Sequence, residues 1–384
     1  MTDLVRPPQA LTTDQKSARL LALDVFRGLT VAAMILVNNQ GAGGSTYPLL
    51  RHAEWDGWTP TDLVFPFFLF IVGVAIPFSL AKRQEPDSSR SRAGMLLRIV
   101  RRSVVIFALG LALNGFPDYH WSTIRVPGVL QRIAICYLLA TMIELVGGVG
   151  FKAGTIVVLL LGYWGAMALI PAPGYAAGDL SRAGNLAASV DRAILPGHLY
   201  KSDYDPEGLL STLPALATTL IGVLAGHWLR SARTVAEKDA GLFVAGWVGV
   251  ILGLAWGAAF PINKALWTSS FVLLTAGLAL QSLAVCYWLV DIQGIRSWSR
   301  PFATFGTNAI AAYVLAAILA RLLGLARWKD RAGEALSLKA WLAETLLRPW
   351  LPPEGISLGY GLMFVAACYL PIYLMHRNRI YLRA

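Results

Sequence analysis

The stretch His52–Phe78, HAEWDGWTPTDLVFPFFLFIVGVAIPF, decides the fold class. Its first part holds a histidine, three acids (Glu54, Asp56, Asp62) and two tryptophans (Trp55, Trp58). Its second part is an apolar run long enough to enter a bilayer. Polar chemistry at the mouth of a membrane helix is costly to keep unless it works. This stretch therefore separates an intramembrane enzyme from a generic multi-span protein.

Working outward, the same alternation of apolar run and polar loop recurs along the whole chain. Of 384 residues, 56% are hydrophobic and only 14% charged, with a mean hydropathy of +0.56. Those values are far from a soluble globular chain. The apolar runs predict ten helices, near 20–40, 62–81, 95–114, 127–146, 153–171, 209–229, 241–259, 268–290, 302–323 and 357–375. The expected fold class is all-α: a polytopic membrane helix bundle with about ten transmembrane helices. A cytoplasmic segment 1–19 precedes a single membrane domain, 20–376, and a cytoplasmic tail follows at 377–384. Two long outer loops, 172–208 and 324–356, are expected to fold over the helix mouths. No internal repeat and no cleavable signal is evident.

The net charge is +11. In a soluble chain that suggests nucleic acid; here the basic residues cluster between apolar runs, so no nucleic-acid partner is expected. They concentrate in 1–19, 82–94 with the start of the third span, 147–152, 230–240, 291–301 and 376–384, and otherwise mostly in the two long loops, where the rule is weak. The three short loops on the other side carry one each: Arg51, Arg125 and Lys264. The positive-inside rule then puts both termini in the cytoplasm and His52 on the outer side. Cys136, Cys286 and Cys368 lie inside apolar spans without metal or disulfide spacing and read as small core residues.

Several polar residues sit within or beside the spans. Asp24 and Arg27, three apart on one helix face, can pair; Arg27 can equally meet an anionic ligand. Asn38 lies about 16 Å further along the same helix. His52 is followed ten residues later by Asp62, and a histidine with a nearby carboxylate is the usual equipment of a general base. Trp55 and the Phe65–Phe70 run read as interfacial belt and packing ahead of a sugar platform. Gln131 and Arg132 open the fourth span. A buried arginine there must pair with something, either a substrate anion or Asp62. Asn263 and Lys264 lie in a short outer loop, and Asn308 in the inner half of the ninth span. His227 and His376 sit at inner helix ends as anchors; His120 and His198 have no evident partner. Walker, HExxH, GxSxG and zinc spacings are absent from the sequence, so no metal site is expected.

Five blocks carry a family likeness: RLLALDVFRGLTVAAMILVNN (19–39), HAEWDGWTPTDLVFPFFLFIVGVAI (52–76), VPGVLQRIAICYLLA (126–140), PINKALWTSSFVLLTAGLALQSLAVCYWLVDIQG (261–294) and FATFGTNAIAAYV (302–314). In this order they resemble the heparan-α-glucosaminide N-acetyltransferase family. The resemblance implies an acyltransferase that takes acetyl from cytosolic acetyl-CoA across the membrane to a terminal amino sugar. The family's active histidine falls on His52, its asparagine on Asn38 and its aspartate on Asp62. Acceptor contacts are expected from Glu54, Trp55, Gln131, Arg132, Asn263 and Lys264, and CoA contacts from Arg27, Arg98, Arg101, Arg102, Arg230 and Asn308. Acetyl-CoA is then a co-substrate, with no permanently bound cofactor. The other partners implied are an amino-sugar acceptor, the bilayer and, by family analogy alone, a second copy in a homodimer. Animal members carry an extended luminal N-terminal region and one more span, both of which this chain is expected to lack. That points away from heparan sulfate, to a glucosamine-type or cell-wall sugar at the periplasmic side of a bacterial inner membrane. The rival readings are a sugar or anion transporter and an acyltransferase moving another acyl group onto a surface glycan.

Overall fold

The computed structural model describes residues 20–42, 44–81, 92–329 and 335–382. The expected segment 1–19 and the end of the tail lie outside them. The described residues form thirteen α-helices: α1 Leu21–Asn38, α2 Val64–Ala81, α3 Arg92–Gly115, α4 Val129–Val146, α5 Val149–Leu169, α6 Leu186–Ile194, α7 Thr212–Arg230, α8 Val235–Trp256, α9 Ser269–Tyr287, α10 Arg300–Thr307, α11 Ala309–Leu325, α12 Leu338–Leu346 and α13 Pro353–Arg377. The strands β1 Arg327–Lys329 and β2 Ala335–Ser337 pair antiparallel. The chain is thus an all-α polytopic membrane bundle, as expected.

Among the described residues eight helices are long and apolar enough to cross a bilayer: α1, α2 with its 3₁₀ lead-in, α4, α5, α7, α8, α9 with its π-helical end, and α13. The expected ninth span is not one helix. It breaks at Asn308 into α10 and α11, bent by 86°, and counts as a ninth crossing only if the pair is taken together. The expected third span is α3, which is about 36 Å long. Its first half carries Arg98, Arg101 and Arg102, so it does not qualify by composition. Ten apolar spans thus become eight or nine plus an arginine-bearing helix. The two long loops also hold secondary structure of their own: α6 in 172–208, the paired β1 and β2 with α12 in 324–356.

Packing follows the rule for helices without a hydrophobic drive between them: small residues let backbones approach. At the α1–α10 crossing, Gly28 faces the Phe302 carbonyl and Gly306 faces the Asp24 carbonyl, each too close for a Cβ. Gly73 and Gly222 do the same between α2 and α7. The central helices are α7, α9 and α2, while α5, α8 and α13 lie at the periphery. Phe243, Trp247, Ile251 and Leu254 on α8 are exposed, as lipid-facing residues should be.

The helices alternate in direction, so the molecule has two chemically different ends. At one end the loops after α1, α3, α5, α8 and α11 are tied together. Asp56 bridges Asn263, Trp55 Nε1 donates to the Leu180 carbonyl at 2.9 Å, and Val126 N donates to His198 at 3.0 Å. Lys339 Nζ donates to the Gln40 carbonyl at 2.9 Å. At the other end Glu144 pairs with Lys152 and His227, both at 2.9 Å, and Thr307 meets His376 at 3.2 Å.

Candidate active site

The site begins with a local turn. Thr59-Pro60-Thr61-Asp62 has an N-cap threonine, a proline at the first helical position and an acid at the third, the pattern that starts a helix. The Asp62 carboxylate folds back on the turn. Its Oδ2 accepts from Thr59 N at 3.0 Å, Thr59 Oγ1 at 3.2 Å and Ala53 N at 3.0 Å. Asp62 is wholly buried, and Oδ1 is left facing two basic groups. His52 Nδ1 lies 2.7 Å away and Lys264 Nζ 3.2 Å away. Lys264 Nζ is also 2.9 Å from His52 Nδ1. The imidazole itself is half exposed, with its Nδ1 edge turned to the acid.

Lys264 reaches this point because the α8–α9 loop is braced against the histidine loop. Gly57 N donates to the Ile262 carbonyl at 2.7 Å, and Asn263 Nδ2 donates to Asp56 Oδ1 at 3.1 Å. Asn263 Oδ1 accepts from Leu266 N at 2.9 Å. Both ends of the Asn263 amide are therefore occupied within the fold, so the expected acceptor contact instead holds the loop. Burial pushes the Lys264 ammonium below the ordinary lysine range, an effect that Asp62 opposes. The expectation for Lys264 was an acceptor contact; the structure brings it onto the His52–Asp62 pair.

A second polar cluster, not foreseen from sequence, lies beside the first. Arg125 Nε donates to Asp205 Oδ2 at 2.9 Å and Nη2 to Oδ1 at 2.6 Å, and the same guanidinium pairs with Glu207. Burial alone would lower the Arg125 pKa; Asp205 and Glu207 outweigh it and hold the group above its ordinary value. Glu207 is within electrostatic reach of Lys264, Arg132 and Tyr313, which makes it the common neighbour of the surrounding cations. The signal in the sequence was faint: a lone arginine in a short loop and an Asp-Pro-Glu just ahead of α7.

Arg132 does not join Asp62. It is fully buried, donates through Nη2 to the Gly208 carbonyl at 3.0 Å and to Ser211, and lies over the Trp267 ring at 5.1 Å. Gln131 is buried against Gly110 and Gly128, with its Nε2 unpartnered. Glu54 is exposed, and its backbone carbonyl accepts from Arg182 at 2.8 Å. Trp55 is packed into the first long loop, edge-on to Tyr204 at 5.3 Å. Asn38 is not hydrogen-bonded to His52. It ends α1 and lines a cavity of about 220 Å³ together with Met34, Ile35, Tyr313 and Arg321. Arg321 Nη1 is buried there without a partner.

The arginines expected to meet CoA lie towards the other end. Arg98 donates from Nε to the Gly94 carbonyl at 3.0 Å, Arg101 is exposed, and Arg102 sits over the Tyr137 ring at 4.9 Å with a buried, unpartnered Nε. Arg230 is exposed beside Phe78. Arg27 pairs with Asp24 at 3.2 Å, as the spacing predicted, and donates to the Gly306 carbonyl at 3.3 Å. Asn308 stands apart. It is wholly buried at the helix break, donating to the Ile380 carbonyl and accepting from Leu382 N, both at 3.1 Å. Its amide ties down the C-terminal tail, so neither end is open to a ligand. Among the described residues no cluster of metal-ligating side chains occurs. His198, unpaired in the sequence reading, meets the Ile124 carbonyl at 2.8 Å.

The model of the catalytic region of heparan-α-glucosaminide N-acetyltransferase matches residues 19–253, which contain His52, Asp62, Arg125 and Glu207. The human heparan-α-glucosaminide N-acetyltransferase is 31% identical over 358 residues, 77% of this chain and 52% of its own. The mouse protein of the same name is 29% identical over 364 residues, 80% of this chain and 54% of its own. The chain thus spans about half the length of the relatives it matches. A matched catalytic region over more than half the chain makes this protein a member of the heparan-α-glucosaminide N-acetyltransferase family.

Proposed function

We propose that this protein moves an acetyl group from acetyl-CoA, entering at the arginine-rich end, to the amine of a glucosamine-type sugar at the His52 end. The observation that carries the reading is the imidazole of His52: its Nδ1 edge is held by a buried carboxylate while the ring stays half exposed. A ring held in that way keeps Nε2 as a base or nucleophile.

Two routes use that atom. In the first, Nε2 attacks the thioester carbonyl, the C–S bond breaks, and CoA leaves as the thiolate and takes up a proton. The sugar amine then attacks the acetyl-imidazolium, the C–N bond to the sugar forms, the imidazole leaves, and the ammonium product loses a proton. In the second, the amine attacks the thioester directly while Nε2 removes its proton. Asn38, on the wall of the cavity at the end of α1, is the candidate amide donor to the developing oxyanion, a contact worth roughly 3 kcal/mol. Arg98, Arg101, Arg102 and Arg230 suit the CoA phosphates, since guanidinium groups match phosphate oxygens. The inner membrane, with His52 on the outer side, is the location the charge pattern favours.

The test is transfer of label from acetyl-CoA to a panel of amino sugars by the purified protein. His52→Ala should abolish transfer while CoA binding and thermal unfolding stay as in the parent. Near-normal transfer by that variant would exclude both routes. Label trapped on the parent without sugar selects the first route; none under rapid quench selects the second.

A further inference from the structure

We propose that Lys264 is the positioning residue that holds His52 in its reactive form, by neutralising Asp62 rather than by touching donor or acceptor. The inference rests on the reading of His52 as the transfer residue.

In a serine-protease triad an unpaired carboxylate steadies the imidazolium. Here the carboxylate is not unpaired. Oδ2 is occupied by Ala53 N, Thr59 N and Thr59 Oγ1, so Oδ1 alone serves both His52 and Lys264. At 2.7 Å the Nδ1–H of His52 donates to Oδ1. A proton in that position excludes a hydrogen bond from Lys264 to Nδ1, although Nζ is only 2.9 Å from it. Lys264 therefore donates to Oδ1, and ammonium and carboxylate cancel beside the ring.

Two consequences follow from the cancelled charge. The imidazole has no net anion drawing it to its protonated form, so Nε2 keeps its lone pair. Once acetylated at Nε2, the ring becomes a cation that no net anion beside it steadies, which favours expulsion of the acetyl group to an amine. The other charged groups near the site do not replace Lys264. Glu207 is held by Arg125, Asp56 by Asn263, and Arg51 is turned to the Thr46 carbonyl and Ser45. Burial lowers the Lys264 pKa, and Asp62, with Glu207 adding to it, opposes the fall.

The test reads the imidazole without donor or acceptor. Carbethoxylation of His52 by diethyl pyrocarbonate is followed against pH by peptide mass spectrometry on the full chain in detergent. In Lys264→Met the pH midpoint should rise by about one unit relative to the parent, because the carboxylate is left uncompensated. Lys264→Arg should return it to the parent position. With glucosamine as acceptor, Lys264→Met should lower kcat about tenfold or more while KM changes less than about twofold. An unmoved midpoint with a raised glucosamine KM would make Lys264 an acceptor contact and overturn the proposal. A shifted midpoint in a protein that transfers no acetyl would uphold the electrostatic arrangement and defeat the transfer reading instead.

Discussion

At the scale of single residues, Asp62 carries the most structure in the fewest atoms. One oxygen closes a helix-starting turn, and the other orients a histidine and a lysine. That division makes the outcome of Asp62→Asn definite. An amide placed here must turn its oxygen to Ala53 N and Thr59 N, because its NH₂ would clash with those two backbone donors. The NH₂ then points at His52 Nδ1 and donates to it, so the ring proton moves to Nε2 and the reactive lone pair is lost. Acetyl transfer should fall by about 10³–10⁴-fold, the size of effect seen when a triad histidine is held in the wrong tautomer. Acetyl-CoA affinity, measured by calorimetry, should stay within about twofold. A loss of activity smaller than tenfold would mean that the carboxylate does not govern the tautomer. His52 and Asp62 were legible as a pair because they lie ten residues apart in one loop. Lys264 and the Arg125–Glu207 pair were not: their partners are distant in sequence and meet only when the loops close over the helix ends.

At the scale of elements, apolar length was readable and breaks were not. A span needs about twenty apolar residues, and that demand is written into composition. The 86° turn at Asn308 falls inside an apolar run with no proline to mark it, and depends on the tail returning to Asn308. The same α10 segment owes its position to glycines. A Cβ at Gly28 would lie 1.7 Å from the Phe302 oxygen, which is backbone and cannot swing away. Gly28→Ala should therefore destabilise the fold by about 2–3 kcal/mol, read as a lower unfolding midpoint in detergent; an unchanged midpoint would mean that α10 is not seated on α1 in solution. The cap over the site has its own pH signature. Asp191 on α6 is buried, accepts from Leu209 N at 2.7 Å, and is pushed up to about 6, chiefly by burial, with Asp205 adding to the rise and Arg132 and Arg192 opposing it. The folded state then holds a proton that the unfolded chain releases near pH 4. Stability falls as pH rises from about 4 to about 6, by roughly 3 kcal/mol at most. Asp191→Asn keeps the acceptor and removes the slope, so it should be the more stable protein above pH 6 and should lose its advantage below pH 4. Parallel denaturation curves at all pH values would contradict this.

At the scale of the whole molecule, function is a matter of two ends. The histidine, its acid and its lysine lie among the loops at one end, while α3 brings Arg98, Arg101 and Arg102 in from the other. The same arginines that keep α3 from being an apolar span are the phosphate contacts proposed for the donor. If one extended donor bridges the two ends, its charged and reactive parts must be separable by chemistry. Acetyl-CoA carries phosphates; acetyl-pantetheine carries the same thioester without them. Replacing Arg98, Arg101 and Arg102 together by Gln should raise KM for acetyl-CoA by about tenfold to a hundredfold, since each charge-assisted phosphate contact contributes roughly 1.5–3 kcal/mol before solvent screening reduces it. KM for acetyl-pantetheine should stay as in the parent, and so should the rate at saturation with either donor. His52→Ala should show the reverse pattern: both donors bind, neither reacts. Equal weakening of both donors by the arginine changes would mean that α3 supports the fold rather than the nucleotide.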